Sequence, residues 1–576
     1  MLLALSILPI VLLIVLMVTP PLPRLGRLGS WSPLPAHIAL PAVALLAYGL
    51  QLFMFRPGPE SRAAVIHAAA IDGALSSLTP LAIVLGAVLL FKTMDTSGAM
   101  RVLTERLRRM SPDPVAQLVL VGWAFSFLIE GLSGFGTPAA LAAPILVGLG
   151  FPMLRVAAMC LVMNSVPVSF GAVGTPTWFG FGGLGLSLQE LGEIGWRTAF
   201  IHTAAAPAIV VLALRIVVPW KEVRARLVFV LLAVAASVGP YLLMARFSVE
   251  FPSIVGGLAG LAGVTALARW QVGLPRGVTE LPPGGDATGV SAAPPPAPYM
   301  SLLRAAMPLL ATVLVLAVTR IDALGVKAVL NSDANGGAGA ASVGLGALGE
   351  AWISPALVVG LRDILGTGTA WKMPLLYVPF ILPFVAVSLA AIPLLRMNRA
   401  VVRSAWMQTA GRLARPAVAL VGALVLVKMM MLGGETAPAM VMGRAMANTT
   451  GGAWPYFASL LGALGSFFSG SNTVSNLTFG PIQAAVAGTL GLDRATILAL
   501  QSAGGAMGNM VCIHNIVAVA AVLGLSEQHK SNGHHNDVEA SREIGGIAAV
   551  LRLTIAPMLV YALIAAAVAG VFALAF

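Results

Sequence analysis

Long segments without a charged residue are the feature that most restricts what this chain can fold into. Most of them approach or exceed the roughly 20 apolar residues that a helix needs to cross a bilayer. The segments are 2–23, 28–55, 73–91, 131–154, 198–214, 227–245, 373–395 and 553–576. Only 10% of all residues are charged, against about 25% in a soluble domain. The sequence therefore predicts an all-α polytopic membrane protein with about 12–14 transmembrane helices.

The positive charges lie in short clusters between these apolar segments. A net charge of +12 would suggest nucleic-acid binding in a soluble protein, but basic clusters between spans are typical of cytoplasmic loops, so we expect no nucleic-acid partner. The first basic residues, Arg24 and Arg27, follow the first apolar run. This order predicts a retained first helix with a periplasmic N-terminus. The clusters assigned to the cytoplasm are Arg101, Arg106, Arg108 and Arg109; Arg215, Lys221, Arg224 and Arg226; and Arg396, Arg399, Arg403, Arg412 and Arg415.

Three breaks in composition divide the chain. Residues 271–303 are rich in Pro and Gly and predict a cytoplasmic linker between an N-terminal half, 1–270, and a C-terminal half, 304–576. Residues 331–349 are rich in Gly and Ala, and alternation of sides places them outside. Residues 526–543 predict a polar loop with three histidines, for which a solvated loop is favoured over metal binding. The two cysteines lie in apolar sequence and suggest no disulfide or metal framework, and no metal site is expected.

Two polar, glycine-rich segments interrupt the apolar sequence and share one order of parts. The first cassette, 130–176, contains Gly-Leu-Ser-Gly-Phe-Gly-Thr-Pro at 131–138, and the second cassette, 466–516, contains Ser-Gly-Ser-Asn-Thr-Val-Ser-Asn at 469–476. Each continues into an apolar stretch and a second glycine-rich break, at 171–176 and 504–509. Such sequence is tolerated at membrane depth only where it packs in protein or lines a watery cavity. We therefore predict two repeats, with inversion favoured, each supplying a re-entrant hairpin and a broken helix to one site.

The hairpin tips and the second breaks supply the predicted binding site. Half-helix N-termini carry partial positive charge and free N–H donors, so they can hold a small carboxylate without a full cation. We expect the tips to form a cradle for the carboxylate and the second breaks to line it. The cradle comprises Ser133, Gly134, Gly136 and Thr137 with Ser471, Asn472 and Thr473, and the lining comprises Asn164, Thr175, Asn509 and His514.

Ionisable residues in apolar surroundings need a partner or a role, because a charge deep in a membrane is costly. Glu130 ends an apolar run beside the first cassette. We expect it to carry a coupling proton, since burial and a bound anion nearby both favour a protonated carboxyl group. The alternative is a structural glutamate that accepts hydrogen bonds from backbone N–H groups at a helix end.

Five other ionisable residues also lie in or beside apolar sequence. Lys428 is either a cation for the substrate carboxylate or a side chain that snorkels to an interface. Asp72 and Lys92 are a candidate ion pair across a helix end. His514 lies at a polar break and is preferred over His202 for a role in the site, with a packing histidine as the alternative.

Other classes of protein fit the sequence less well. Residues 131–134 match the G-x-S-G pattern of rhomboid-type intramembrane serine proteases, but such an enzyme gives the second cassette no role. A channel is a further alternative. No Gly-Lys-Ser/Thr string and no His-Glu-x-x-His occur, so ATP-driven pumping and zincin chemistry have no support and no cofactor is expected. A secondary transporter, and not an enzyme, is the favoured class.

The two cassettes resemble the lactate permease family, and the resemblance covers nearly the whole chain. It implies a proton-coupled symporter that imports lactate, and often glycolate, across a bacterial inner membrane. Its partners would be a small organic anion, a coupling proton and the lipid bilayer, with a homodimer as a candidate assembly. The tip at 471–473 is also similar to divalent anion/sodium symporters, so sodium-coupled transport of another small organic anion is the alternative. The strings that carry the resemblance are Glu130-Gly131-x-x-Gly134-Phe135-Gly136-Thr137-Pro138, Asn164-x-x-Pro167, Phe170-Gly171-Ala172, Gly470-Ser471-Asn472-Thr473-x-Ser475-Asn476 and Gly504-Gly505-x-Met507-Gly508-x-Met510.

Overall fold

The computed structural model describes residues 1–18, 34–55, 62–134, 137–275, 300–320, 324–332, 340–523 and 536–575. These residues are mostly helical, as predicted. They form two compact units, each drawn from distant parts of the chain. Unit 1 comprises Met1–Met100, Tyr299–Gly451 and Ala484–Leu490, and unit 2 comprises Arg101–Pro298, Gly452–Gln483 and Gly491–Phe576.

The α-helices are numbered in chain order. They are α1 (Leu2–Val18), α2 (Ala36–Phe53), α3 (Arg62–Ser76), α4 (Leu78–Thr96), α5 (Ala99–Arg108), α6 (Pro114–Leu118), α7 (Ser126–Ser133), α8 (Thr137–Val147), α9 (Met153–Asn164), α10 (Gly171–Trp178), α11 (Leu188–Val217), α12 (Trp220–Ala225), α13 (Leu227–Met244), α14 (Pro252–Arg269), α15 (Leu302–Arg320), α16 (Val326–Leu330), α17 (Val387–Leu394), α18 (Arg399–Met431), α19 (Pro438–Thr450), α20 (Trp454–Ser469), α21 (Asn472–Leu490), α22 (Arg494–Gly508), α23 (Ile513–Val522) and α24 (Asn536–Ala575). Two π-helical segments, Val119–Phe125 and Ile381–Ala386, lead into α7 and α17.

Many of these helices can cross a bilayer. Among the described residues, nine are long and apolar enough by length and composition, or ten if the bent pair Met153–Asn164 and Val168–Leu184 forms one span. Shorter apolar helices cover Leu2–Met17, Pro138–Val147 and Ile381–Leu394. The chain is therefore a multi-pass membrane protein, and the total of about 12–14 spans stays a prediction.

Unit 1 is organised around the long helix α18, which packs against α2, α3 and α4. The α18 and α2 backbones approach closely, because a Cβ atom at Gly422 would meet the backbone nitrogen of Pro41 at 2.5 Å. Small residues allow this kind of contact between membrane helices. Near the end of α18, the Gln51 side chain donates a hydrogen bond to the Met429 carbonyl oxygen over 2.6 Å. This bond satisfies a carbonyl group that the helix terminus leaves free.

Two ion pairs in unit 1 correct the expected pairing of Asp72 with Lys92. Asp72 on α3 instead pairs with Lys428 on α18, with 2.5 Å between Oδ2 and Nζ. Lys92 pairs with Asp95, three residues further along α4. The prediction was wrong because Lys92 has a partner on its own helical face, and no sequence signal showed that α18 packs on α3.

Unit 1 also contains a four-stranded antiparallel sheet that the all-α prediction missed. Its strands are β1 (Ala341–Gly344), β2 (Glu350–Ile353), β3 (Val358–Ile364) and β4 (Thr369–Pro374), paired in chain order. Trp352 is 6% exposed and covers Gly360 on the next strand, where any Cβ atom would collide with the indole ring. Arg362 donates two hydrogen bonds to Glu350 across the same strands, over 2.7 and 2.9 Å. The apolar segment 373–395 therefore begins in a strand and ends in a short helix.

Unit 2 contains two helix pairs in backbone contact. In the pair α7 and α14, a Cβ atom at Gly257 would collide with the Leu128 backbone, and in the pair α20 and α22, one at Gly504 would collide with the Ser459 carbonyl oxygen. Helix α11 packs against α9, α22 and α24. Parts of both cassettes lie on these closely packed helices: α7 and α9 contain residues of the first, and α20 and α22 contain residues of the second.

The predicted linker and the predicted polar loop lie only partly within the described residues. Helix α14 ends at Arg269 and α15 begins at Leu302, while 276–299 of the linker lie outside the described residues. Residues 524–535 of the polar loop also lie outside them, and α24 begins at Asn536, within the segment expected to be a loop. Each compact unit combines segments of both sequence halves. The repeat, its inversion, the periplasmic N-terminus and the homodimer stay predictions.

Candidate functional site

Both cassettes interrupt their helices at the predicted tips. In the first, α7 ends at Ser133 and α8 begins at Thr137; in the second, α20 ends at Ser469 and α21 begins at Asn472. Gly134 follows α7 with φ 58° and ψ −157°, a conformation open essentially to glycine alone. Helix propagation therefore stops where the sequence places its glycines and small polar residues.

The second break of the first cassette contains a strained turn. Helix α9 ends at Asn164, and the chain bends by 61° before it continues. Ala172, Val173 and Gly174 then adopt successive left-handed conformations, with φ of 44°, 57° and 72°. A β-branched residue such as Val173 is rare there and costs roughly 1–3 kcal/mol. Thr175 Oγ1 donates to the Ala172 carbonyl oxygen over 2.5 Å and helps to hold the turn.

A partly open cavity in unit 2 is lined by both cassettes. The space between its lining atoms is about 270 Å³, a volume that includes the open mouth. Among the described residues of this lining, Glu130 is the ionisable side chain, and none is a lysine or arginine. The residues that line the cavity are Glu130, Gly134, Val168, Gly171, Ala172, Pro176, Gly470, Ser471, Asn472, Thr473 and Asn509.

Glu130 is fixed between two elements of the first cassette. It is 2% exposed, and its Oε2 accepts a hydrogen bond from Asn164 Nδ2 over 3.1 Å. Its Oε1 lies against Gly171, where a Cβ atom would collide with the carboxyl group. A glycine at this position thus lets the carboxyl group approach the backbone at the cavity wall.

The second cassette places two amides and two hydroxyl groups at the cavity. Asn472 is 2% exposed, and its Nδ2 donates to Ser169 Oγ over 3.1 Å. Its Oδ1 lies against Gly505 and has no hydrogen-bond partner among the described residues. Ser471 Oγ accepts from the backbone N–H of Val474 over 3.3 Å and so caps α21.

Direct hydrogen bonds join the two cassettes. Asn476 Nδ2 donates to the Pro176 carbonyl oxygen over 2.9 Å. Ser169 Oγ donates to the Ser502 carbonyl oxygen over 3.1 Å, and Ser502 Oγ lies 3.0 Å from Ser169 Oγ. The cavity is therefore one hydrogen-bonded site built from sequence segments that lie far apart.

The structure brings together six of the predicted site residues. They are Glu130, Gly134, Ser471, Asn472, Thr473 and Asn509, which all line the cavity. Asn164 and Thr175 do not belong to the lining but bond to Glu130 and to the strained turn.

The remaining predicted residues either do not line the cavity or lie outside the described residues. The Ser133 hydroxyl donates to the Ile129 carbonyl oxygen of its own helix over 2.9 Å. Gly136 and the side chains of Thr137 and His514 lie outside the described part of the structure. Lys428 belongs to unit 1, where Asp72 already neutralises its charge, and its role toward a substrate stays a prediction.

Sequence reasoning missed the connecting role of Ser169 and Ser502. Each is a single small polar residue in apolar sequence, next to a glycine-rich break. That position was the available signal, but serine is also common as a packing residue in membrane helices. Only the fold shows that the two serines meet.

Two sets of broken helices around one polar cavity, in a mostly helical multi-pass membrane protein, are the architecture of a transporter. The family model for L-lactate permease matches residues 3–576. The chain belongs to the L-lactate permease family and is a transporter, not an enzyme.

The relatives match nearly full-length. A Haemophilus influenzae relative is 44% identical over 562 residues, which cover 98% of this chain and 97% of the relative. The L-lactate permease of Escherichia coli is 29% identical over 516 residues, 86% of this chain and 85% of the relative. A glycolate permease of Escherichia coli is 26% identical over 515 residues, 85% and 87% of the two chains.

Proposed function

We propose that this protein is a symporter that imports lactate and related short 2-hydroxy monocarboxylates such as glycolate, together with protons, across the bacterial inner membrane. The observation that carries the proposal is a buried carboxyl group, Glu130, in the wall of a cavity whose other described lining residues are uncharged. The relatives named as L-lactate and glycolate permeases support the substrate class.

The substrate carboxylate binds at the start of α21. Asn472 and Thr473 occupy the first turn of that helix, whose N–H groups have no carbonyl acceptor within the helix. The helix terminus adds about half a positive charge. Ser471 and Thr473 contribute hydroxyl groups to the same wall. These donors hold an anion without a lysine or arginine in the described lining.

Proton coupling follows from placing an anion beside Glu130. Two unit negative charges about 4 Å apart repel by about 4 kcal/mol at an effective dielectric constant of 20. Protonation of Glu130 removes this repulsion, so the anion and the proton bind together. Release of one favours release of the other, and alternating access carries the neutral pair across the membrane.

Uptake into proteoliposomes tests the proposal. Labelled lactate, glycolate and propionate are supplied with a proton gradient and a sodium gradient imposed separately. We expect uphill accumulation of the two 2-hydroxy acids that requires the proton gradient and collapses with a protonophore. Accumulation driven by sodium alone would support the alternative, a sodium-coupled transporter of small organic anions. Equilibration without accumulation would indicate a channel.

The Glu130→Gln variant tests the proton carrier. We expect proton-driven accumulation to be lost while exchange of internal for external lactate continues, because the amide keeps the site neutral. Glu105→Gln is the matched control, since Glu105 forms an exposed pair with Arg109 at 2.8 Å. Accumulation by Glu130→Gln with the pH dependence of the wild type would eliminate the assigned role.

A further inference from the structure

His202 is a buried histidine with a side-chain partner at each ring nitrogen. It lies within α11 and is 0% exposed. Nδ1 is hydrogen-bonded to the hydroxyl group of Tyr561 on α24, and Nε2 lies 2.8 Å from Ser169 Oγ. The ring of Tyr241 stands edge-on, with 6.3 Å between the ring centroids. The imidazole is therefore held in one orientation.

The partners of His202 assign its tautomer. A buried phenol needs an acceptor for its hydrogen, and Nδ1 of His202 accepts from Tyr561. When Nδ1 accepts, the hydrogen of a neutral imidazole sits on Nε2. Nε2 then donates to Ser169 Oγ. A directed chain of hydrogen bonds thus runs from Tyr561 through His202 to Ser169.

The chain continues from Ser169 to the cavity. A serine hydroxyl has one hydrogen and two lone pairs. The Ser169 hydrogen points to Ser502, whose carbonyl oxygen and hydroxyl oxygen lie 3.1 and 3.0 Å from Ser169 Oγ, and the lone pairs accept from His202 Nε2 and from Asn472 Nδ2. With every bonding position of Ser169 used, the Asn472 amide has one stable orientation, with Oδ1 toward Gly505. Asn472 itself lines the cavity.

We propose that His202 is a positioning residue of the transport site, which orients Asn472 through Ser169 while Tyr561 fixes its tautomer. The proposal rests on the proposed function, because Asn472 acts on the substrate there. His202 is not among the residues that line the cavity, and its effect is on the geometry of the second cassette. The proposal therefore predicts that variants of His202 change the substrate affinity more than the maximal rate.

Three single variants, one double variant and a control test the proposal by lactate uptake. His202→Phe and Ser169→Ala should each raise KM about fivefold to tenfold, the value of one hydrogen bond, with little change in maximal rate. Together they should raise KM no further, because both interrupt one chain. His202→Gln should restore much of the affinity, since its amide can donate in place of Nε2. The control is His67→Phe, which breaks a similar pair with Tyr48, 2.5 Å between Tyr48 Oη and His67 Nδ1, in unit 1.

The outcomes separate this proposal from the proposed function. Equal KM values for wild type, His202→Phe and Ser169→Ala would overturn the positioning role, as would additive effects or an equal effect of His67→Phe. If the wild type takes up no 2-hydroxy acid, the proposed function fails instead. Carbon and nitrogen NMR shifts of the His202 ring then still test the chain of hydrogen bonds, because they distinguish the two tautomers. An Nδ1–H tautomer in the wild type, or no change of tautomer population in Tyr561→Phe, would refute the assignment.

Discussion

Gly505→Ala is the substitution that most directly tests how the second cassette is built. A Cβ atom at Gly505 would collide with Asn472 Oδ1 and would lie 3.3 Å from Ser466 Oγ. The amide must withdraw, which breaks its 3.1 Å hydrogen bond to Ser169. A lost hydrogen bond costs about 0.5–1.5 kcal/mol, and crowding of a packed interior costs about 1–3 kcal/mol. The combined cost is about 1.5–4.5 kcal/mol, and a value of about 2 kcal/mol on the binding geometry corresponds to a rise in KM of about thirtyfold.

The assay compares initial rates of lactate uptake by purified, reconstituted Gly505→Ala and wild type over a range of concentrations. Gly192→Ala on α11 is the matched control, because a Cβ atom there meets nothing within 4 Å. We expect the control to retain the wild-type KM and to be slightly more stable, since alanine favours the helix. A KM for Gly505→Ala within twofold of the wild type would refute the reasoning, because Asn472 would then tolerate displacement.

Three further predictions concern charged residues. Lys428→Met should leave KM unchanged but lower thermal stability, because Asp72 loses its ion-pair partner. The Lys428→Met/Asp72→Asn double variant should recover stability. A large rise in KM would instead support Lys428 as a partner of the substrate carboxylate. Arg226→Gln should destabilise unit 2 by about 2–4 kcal/mol, because a side chain that is 1% exposed bridges two carboxylates; an unchanged unfolding temperature in detergent would contradict this. The hydrogen bonds from Arg362 lower the pKa of Glu350 from 4.5 to about 2. A depressed pKa contributes stability that is present above pH 4.5 and is lost as the pH falls through about 2, so the difference in amide exchange of the sheet between wild type and Glu350→Gln should shrink over that range.

The sequence predicts the positions of the interruptions well, because their cause is local. Glycine and small polar residues next to Ser133 and Ser469 stop a helix whatever surrounds them, and both helices end there. The left-handed backbone conformation of Val173, by contrast, could not be predicted from the sequence. A β-branched residue is locally disfavoured in that conformation, so only tertiary packing can impose it, and no local pattern predicts it. The sheet was missed for a related reason, since β1 is fully exposed and carries no alternating apolar pattern.

The glycines of the second breaks give a physical reason for the similar order of parts in the two cassettes. Considered alone, each is explained by close helix packing. In the structure, Gly171 leaves space for the Glu130 carboxyl group, and Gly505 leaves space for the Asn472 amide. In each cassette, a glycine of the second break thus makes room for a polar side chain at or beside the first break. The chemistry of the two side chains differs, because only the carboxyl group can exchange a proton. The two cassettes are therefore built in the same way but have different roles. We expect Gly171→Ala to impair the coupling of lactate uptake to protons, whereas Gly505→Ala impairs the affinity for lactate.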